Sequence, residues 1–260
     1  MSAELQLYTF KLSLWAGAAR LAVNELNIPG VKQVEVDLSK AENFSPEFLK
    51  INPKHTIPAL EVIEHGSKRY LDDTKSVVEY LDKHTGNSLS LPEKQAEIDT
   101  FLKEIHEDAD VGNPLFFTSG NPEELQAKKN DVVPFLENRI KGWETYSKQA
   151  PEHTELYNKN IQETKGLLGF YTGPNPQPMF DLNKKLWESG SKFLDHVESL
   201  LKQNGDYVFG TYSVADIHLT PYLFRMLLVR KPEEVFGNRP HLKAYYERVQ
   251  SRPSFKQTFA

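Results

Sequence analysis

The segment from Asn52 to Leu60, which reads Asn-Pro-Lys-His-Thr-Ile-Pro-Ala-Leu, restricts the backbone more than any other part of the chain. Proline fixes φ and has no N–H, so Pro58 marks the entrance of an alternating strand predicted over Ile57–Ile63. An X-Pro bond at such an entrance is one of the few places where a cis peptide is tolerated. We predict a cis Ile57–Pro58 bond that leaves the Ile57 N–H and C=O free to pair with an extended peptide ligand. The alternative is an ordinary turn before an edge strand.

Strand and helix patterns alternate in the first third of the chain. Leu5–Phe10 alternates as a strand, apolar residues over Trp15–Leu26 have helical spacing, and Val34–Leu38 is a second strand pattern. Strands joined by a helical crossover run parallel, so we expect a βαβ unit here. The elements predicted next are a helical turn over Pro46–Ile51, strands over Ile57–Ile63 and Arg69–Leu71, and a helix over Thr74–His84. This order predicts a thioredoxin-like α/β domain over residues 1–85.

After Leu91 the predicted elements are all helices. Apolar residues keep helical spacing over residues 98–109 and again over residues 193–201. Between these two stretches, Asn113–Phe180 is interrupted by Gly and Pro, which predicts helices joined by long loops. We therefore predict a linker over residues 86–92 and an all-α domain over residues 93–260.

The segment from Gly210 to Asp216, Gly-Thr-Tyr-Ser-Val-Ala-Asp, predicts a helix start. Ser213 can accept a hydrogen bond from the Asp216 N–H, while the Asp216 carboxylate accepts one from the Ser213 N–H. Tyr212 and Ile217 have the spacing of a hydrophobic staple. The helix that follows is apolar on nearly all sides, so we expect it in the core of the helical domain.

Composition excludes several kinds of chemistry. The absence of cysteine rules out disulfides, thiolate metal sites and a nucleophilic sulfur supplied by the protein. A net charge of −5 and a pI of about 5.9 argue against nucleic acid as a partner. The most apolar run, Val214–Val229, is too short and too polar to span a bilayer, and the first residues lack a signal-peptide pattern. We expect a cytoplasmic protein with no membrane partner.

The run His106–Asp110, His-Glu-Asp-Ala-Asp, has residue types found in metal sites. It lacks a second histidine at metal-ligand spacing, and its charges lie opposite the apolar stripe of the predicted helix. We interpret the run as a solvated face and expect no metal.

Taken together, these features resemble the cytosolic glutathione transferases over essentially the whole chain. The resemblance implies a thioredoxin-like N-terminal α/β domain followed by an all-α C-terminal domain. Asn-Pro-x-His-Thr-Ile-Pro-x-Leu is most similar to the serine-type classes, and the Gly-x-x-Ser-x-x-Asp cap resembles their folding module. Lys11–Ala16, the interrupted middle region and the overall length are most similar to the fungal-specific A class.

By this resemblance, Ser13 matches the catalytic serine between the first strand and the first helix. Stabilising the thiolate of glutathione near neutrality requires a shift of roughly two pKa units, about 3 kcal/mol, which a hydroxyl donor and a helix N-terminus can supply. The alternative reading of Ser13 is a plain helix cap. Tyr8 is the rival donor, but Thr9 occupies the matching position, so we expect Tyr8 on the other face of the sheet.

The resemblance also assigns the two ends of glutathione. Asp73 and Thr74 would hold the γ-glutamyl end at a helix N-terminus, although the family usually has Glu-Ser there and Asp shortens the reach. His55 and Asn43 would contact the glycyl end, with a solvated loop histidine as the alternative. The full set predicted for glutathione is His55, Thr56, Ile57, Pro58, Asp73, Thr74 and Asn43.

A hydrophobic second substrate would lie between the domains. The residues predicted to line its site are Leu12, Leu14, Trp15, Phe116, Phe117 and Tyr171, each of which has core packing as its alternative.

The sequence therefore predicts a transferase that conjugates glutathione, as co-substrate, to a hydrophobic, aromatic electrophile, and that forms a homodimer. The acceptor stays open among a xenobiotic, a peroxide and a plant-derived aromatic compound, with ether cleavage as one reaction that the last would allow. A carrier of small aromatic ligands with little turnover is the main alternative. Retention of Ser13, Ile57–Pro58 and Asp73–Thr74 argues against a pure interaction module.

Overall fold

A four-stranded sheet occupies the first third of the chain in the computed structural model, which describes residues 3–259. The strands are β1 (Glu4–Thr9), β2 (Lys32–Glu35), β3 (Ala59–Glu64) and β4 (Ser67–Leu71), and the helices among them are α1 (Leu14–Glu25), α2 (Pro46–Ile51) and α3 (Thr74–His84). The spatial order is β2-β1-β3-β4, with β1 and β2 parallel and the other pairs antiparallel. This confirms the thioredoxin-like fold and the parallel βαβ unit.

Strand β2 is shorter and earlier than predicted, because a polar cap ends it. Its register with β1 pairs Gln6 with Lys32 and Thr9 with Glu35. The side chain of Asp37 then accepts a hydrogen bond from the Ser39 N–H (2.9 Å) and starts a turn of 3-10 helix. The prediction that the strand reaches Leu38 is therefore wrong.

The two faces of the sheet pack against different helices. Leu5, Leu7 and Leu60 are buried in the main core with α1 and α3. Tyr8 lies on the opposite face, where its ring meets Phe48 of α2 edge-on at 5.8 Å.

The remainder of the described chain is helical, as predicted. The helices are α4 (Gln95–His106), α5 (Gly112–Phe117), α6 (Pro122–Gln149), α7 (Thr154–Thr172), α8 (Gln177–Asn204), α9 (Val214–Val229), α10 (Pro232–Phe236), α11 (Pro240–Ser251) and α12 (Pro253–Phe259). The boundary placed at residues 86–92 stays a prediction. In this part of the chain the Leu89 N–H donates to Asp82 Oδ1 (2.8 Å).

The prediction of long loops over Asn113–Phe180 is wrong. Helix α6 has 28 residues, and only residues 118–121, 150–153 and 173–176 separate α5, α6, α7 and α8. Some of the breaking residues sit at helix ends, where they are compatible with helix: Asn121 caps α6 with Pro122 at its first turn. Pro134 is accommodated inside α6. None of the described helices is both long enough and apolar enough to cross a bilayer.

Helix α9 lies in the core, and a buried carboxylate defines its start. Asp216 is fully buried and accepts hydrogen bonds from the Ser213 N–H (2.8 Å), the Ser213 hydroxyl (3.1 Å) and the Val208 N–H (3.2 Å). The predicted bond from the Ser213 N–H to the Asp216 carboxylate is therefore present, whereas the Asp216 N–H donates to the Ser213 carbonyl (3.0 Å) and not to its hydroxyl. Helix α9 packs against α1, α4 and α5, so it joins the helical half to the sheet half.

Replacing Asp216 with alanine should destabilise the whole fold. Two buried N–H groups, those of Ser213 and Val208, lose their acceptor, and each such loss costs about 1–3 kcal/mol. We expect the unfolding free energy from urea titration to fall by about 3 kcal/mol, and by roughly half as much in Asp216→Asn, which keeps one oxygen. The exposed control Asp181→Asn should change it by less than about 0.5 kcal/mol. Equal effects at both positions would contradict the role given to the cap.

Candidate active site

Ser13 lies in the turn between β1 and α1 and caps that helix. Its φ and ψ of −76° and 126° are extended, and its hydroxyl oxygen accepts a hydrogen bond from the Ala16 N–H at 3.3 Å. The hydroxyl hydrogen is not used by this bond, so Ser13 can still donate to a ligand. The position at the first turn of α1 adds the positive end of the helix dipole.

Two buried arginines hold the turn that carries Ser13. Arg20 of α1 donates to the Phe10 carbonyl (2.8 Å) and to the Lys11 carbonyl (2.9 Å). Arg225 of α9 donates to the Leu12 carbonyl. Burial lowers the pKa of Arg225 to about 10, so its guanidinium remains charged at neutral pH. The three residues that precede Ser13 are therefore each held by a charged donor.

The loop before β3 presents an unpaired strand edge. The Ile57–Pro58 bond is cis, as predicted, and within residues 3–259 no hydrogen bond involves the Ile57 N–H or C=O. The fully buried Asn52 shapes this loop, because its amide donates to the carbonyls of Thr56 (2.8 Å) and Asp72 (3.2 Å). An extended ligand could pair with Ile57 here.

Asn43 and His55 form one end of this loop. The Asn43 amide donates to the His55 carbonyl at 2.6 Å, and the His55 ring stacks on Phe44 at 4.2 Å. Burial, and then the positive charges of Arg139 and Lys159, lower the pKa of His55. His55 is therefore a neutral imidazole at neutral pH.

The first turn of α3 faces the same space. Asp73 caps the helix by accepting hydrogen bonds from the Ser76 N–H (2.9 Å) and the Ser76 hydroxyl (2.7 Å). Thr74 begins the helix and is buried, and the Lys75 ammonium contacts Asp99 of α4 at 2.8 Å. A carboxylate at this helix N-terminus would meet backbone N–H groups and the helix dipole.

These elements enclose one cavity of about 760 Å³. The residues predicted from sequence that line it are Ser13, Trp15, Asn43, His55, Thr56, Ile57, Pro58, Asp73 and Thr74. The structure therefore brings all the polar candidates together in one place. Tyr8 is not among the lining residues.

Sequence reasoning missed the wall of the cavity that α4, the turn after it and the start of α5 supply. Its residues are Asp99, Leu102, Lys103, His106, Glu107, Asp110 and Asn113. The interpretation of His106–Asp110 as a solvated face holds for the exposed Glu107 and Asp108 but is wrong for His106 and Asp110. The sequence carried no signal for this, because the partner of His106 is 112 residues away.

That partner is His218 of α9. His106 Nε2 lies 2.7 Å from His218 Nδ1, and the His106 ring packs against Trp15 at a tilt of 38° with centroids 4.0 Å apart. Burial lowers the pKa of His106 to about 4 and that of His218 well below its ordinary value. Both rings are neutral at neutral pH, so one donates and the other accepts. The Trp15 indole N–H also donates to Asp110 (3.2 Å), whose pKa is raised by burial.

The hydrophobic set does not form one pocket. Leu12, Leu14 and Phe116 line a small apolar cleft of about 40 Å³, which Ser13 also lines. Trp15 faces the larger cavity instead. Phe117 and Tyr171 pack in a separate cluster, where the Tyr171 hydroxyl donates to the Phe117 carbonyl at 2.9 Å. Neither residue lines either cavity, since the Phe117 ring packs against Phe135 of α6, and their assignment to the acceptor site stays a prediction.

The His106–His218 pair should make stability depend on pH. Below pH 6.5 the unfolded chain protonates these histidines, while the folded chain keeps His106 neutral down to about pH 4. The unfolding free energy should therefore fall as the pH is lowered from about 6.5 to 4, by roughly 2–3 kcal/mol from His106. Urea titrations at several pH values should show a shallower fall in His106→Gln. An unchanged slope in that variant would contradict the neutral pair.

Two models of known protein families match parts of this chain. Residues 7–89 match the family model described as the N-terminal domain of glutathione S-transferase, and residues 176–258 match the model described as its C-terminal domain. Together the two models cover more than half of the chain.

Among curated proteins, the chain is 26% identical to a tetrachloro-p-hydroquinone reductive dehalogenase of Sphingobium chlorophenolicum, over 97% of this chain and 94% of the relative. It is 24% identical to glutathione S-transferase TCHQD of Arabidopsis thaliana, over 97% of this chain and 88% of the relative. Among solved structures, a glutathione transferase family member from Pseudomonas fluorescens with two glutathione bound superimposes with a TM-score of 0.67 at 15% identity, covering 98% and 92% of the two chains.

Proposed function

Since this chain belongs to the glutathione S-transferase family and is an enzyme of that type, we propose a specific role for Ser13. The protein is a serine-type transferase, in which the Ser13 hydroxyl stabilises the thiolate of bound glutathione. The thiolate attacks a carbon of a hydrophobic, aromatic electrophile. The C–S bond forms as the leaving group departs, and the proton of the thiol has gone to solvent. Membership of the fungal-specific A class and a homodimeric state belong to the same proposal.

One observation carries this proposal: Ser13 borders both the polar cavity and the apolar cleft. A thiolate held at its hydroxyl would face an apolar acceptor while the peptide part of glutathione lies in the polar cavity. Ser13 has a free hydroxyl hydrogen and lies at a helix N-terminus, both of which favour an anion. The enzyme then acts by orientation and by stabilising the nucleophile.

The residues that line the cavity offer partners for both ends of glutathione. The γ-glutamyl carboxylate fits the first turn of α3 at Asp73 and Thr74. The peptide centre can pair with the free N–H and C=O of Ile57, as an added strand would. The glycyl end then reaches His55 and Asn43, which line the cavity beyond the loop.

Two observations support an aromatic acceptor. The cleft beside Ser13 is lined by Leu12, Phe116, Phe224 and Leu228, so it offers apolar and aromatic surface. The relative from Sphingobium chlorophenolicum is named for a chlorinated hydroquinone, which is an aromatic compound.

Ser13→Ala tests the role of Ser13. The pKa of the bound glutathione thiol, read from the ultraviolet absorbance of the thiolate, should lie near neutrality in the native protein. In the variant it should return to about 8.5, the ordinary value of a thiol. Ser199→Ala, an exposed serine on α8, is the matched control and should leave the pKa unchanged. Binding without a lowered pKa in the native protein would favour a carrier and sink the proposed role of Ser13.

Leu228→Ala tests the apolar cleft. Leu228 is 56% exposed, so its truncation costs little stability but removes acceptor contact. We expect the KM for an aromatic electrophile to rise about five-fold, with the KM for glutathione unchanged. Leu182→Ala on α8, 47% exposed and outside both cavities, is the control. An equal response of the two variants would place the acceptor elsewhere.

A further inference from the structure

Helices α6 and α7 contact the wall of the cavity from outside. They belong to residues 90–175, which neither family model matches. Trp143 of α6 meets Phe44 edge-on at 5.3 Å, and the Tyr157 hydroxyl of α7 donates to the Phe44 carbonyl at 3.1 Å. These residues form a hydrophobic cluster of their own with Ala41 and Ile161.

The contact continues through Phe44 to the cavity. Phe44 stacks on His55, and its neighbour Asn43 donates to the His55 carbonyl. Asn43 and His55 both line the cavity, as does Leu38. A shift of α6 would therefore be transmitted to these three residues.

Arg139 of α6 is the polar part of this contact. Its guanidinium donates to the Leu38 carbonyl at 2.5 Å and lies over the rings of Phe44 (5.6 Å) and Trp143 (4.8 Å). Within residues 3–259 no acidic side chain forms a salt bridge with it. Burial lowers the pKa of Arg139 to about 10, so it carries its charge at neutral pH. An unpaired cation behind a cavity wall favours an anion on the other side of that wall.

Gly142 shows how closely α6 approaches. A Cβ at this position would lie 2.3 Å from the Lys40 carbonyl oxygen and 3.1 Å from Ala41 Cβ. Any larger residue must push α6 away from the turn that carries Leu38 and Asn43. Gly166 of α7 has no atom within 4 Å of its Cβ position, so it does not share this constraint.

We propose that α6 and α7 form a clamp, defined by Arg139, Gly142, Trp143 and Tyr157, that positions the cavity wall at Asn43 and His55 and thereby sets the affinity for the glycyl end of glutathione. This rests on the proposed binding of glutathione. Arg139 acts through the wall and does not touch the reacting atoms, so it is a positioning residue.

The test compares two ligands by calorimetry: glutathione, and γ-glutamylcysteine, which lacks the glycine. In Gly142→Ala, the Kd for glutathione should rise about ten-fold, because a wall displaced by a fraction of an ångström loses its contacts. The Kd for γ-glutamylcysteine should stay within about two-fold of the native value. Gly166→Ala is the matched control and should leave both values unchanged.

Two further variants test the role of the Arg139 charge. They also test the clamp if Gly142→Ala does not fold. In Arg139→Met the Kd for glutathione should rise about ten-fold. In Arg139→Lys, which keeps the cation, part of this lost affinity should be recovered. Neither should change γ-glutamylcysteine binding, nor kcat at saturating glutathione.

The outcomes separate the clamp from the proposed function. If folded variants bind both ligands more weakly by the same factor, or bind glutathione as tightly as the native protein does, the clamp is overturned. The proposed function is unaffected by that result, because the native protein still binds glutathione. A native protein that binds neither ligand would overturn the proposed function, and the clamp with it.

Discussion

The position of Ser13 depends on hydrogen bonds from two buried guanidinium groups to backbone carbonyls. Arg20 comes from the helix that Ser13 caps, whereas Arg225 reaches over from α9. Hydrogen bonds from charged donors are stronger than those between neutral groups, and burial limits competition from water. Because Asp216 anchors the start of α9, the geometry of this turn depends on the core of the helical half.

The cavity joins two kinds of polar surface. On the sheet side, backbone groups dominate: the edge at Ile57 and the first turn of α3. On the α4 side, side chains dominate, among them His106, whose neutral ring pairs with the buried His218. The fold fixes the positions of these backbone groups, which can pair with the backbone of a peptide ligand. The α4 wall is made of side chains, which can vary without changing the fold.

Helices α6 and α7 are accommodated because they bury their own apolar faces. Ile140, Trp143, Tyr157 and Ile161 pack together and against Phe44, forming a second core beside the main one. Because this pair of helices has its own hydrophobic core, its presence does not alter the packing of the sheet. Its contact with the turns that follow β2 then makes it part of the cavity wall, although it contributes no residue that lines the cavity.

Local sequence signals predicted much of this protein. The bounds of α2 and α3 were predicted to the residue, and the polar candidates around Ser13, Ile57 and Asp73 do lie in one cavity. These succeeded because caps, prolines and strand alternation act over a few residues. The length of α6 was missed, because Pro134 and Gly142 are normally read as breaks, and tertiary packing overrides them.

The sequence by itself determined the class of fold, the start of α9, the absence of a protein thiol and the polar residues on the sheet side of the cavity. Only the tertiary structure decided which residues face them. His106 and His218 are 112 residues apart, and Arg139 meets Leu38 across 101 residues. Such pairs leave no periodic pattern in the chain, because they arise when separate helices pack, and the packing of α4, α6 and α9 depends on the whole core.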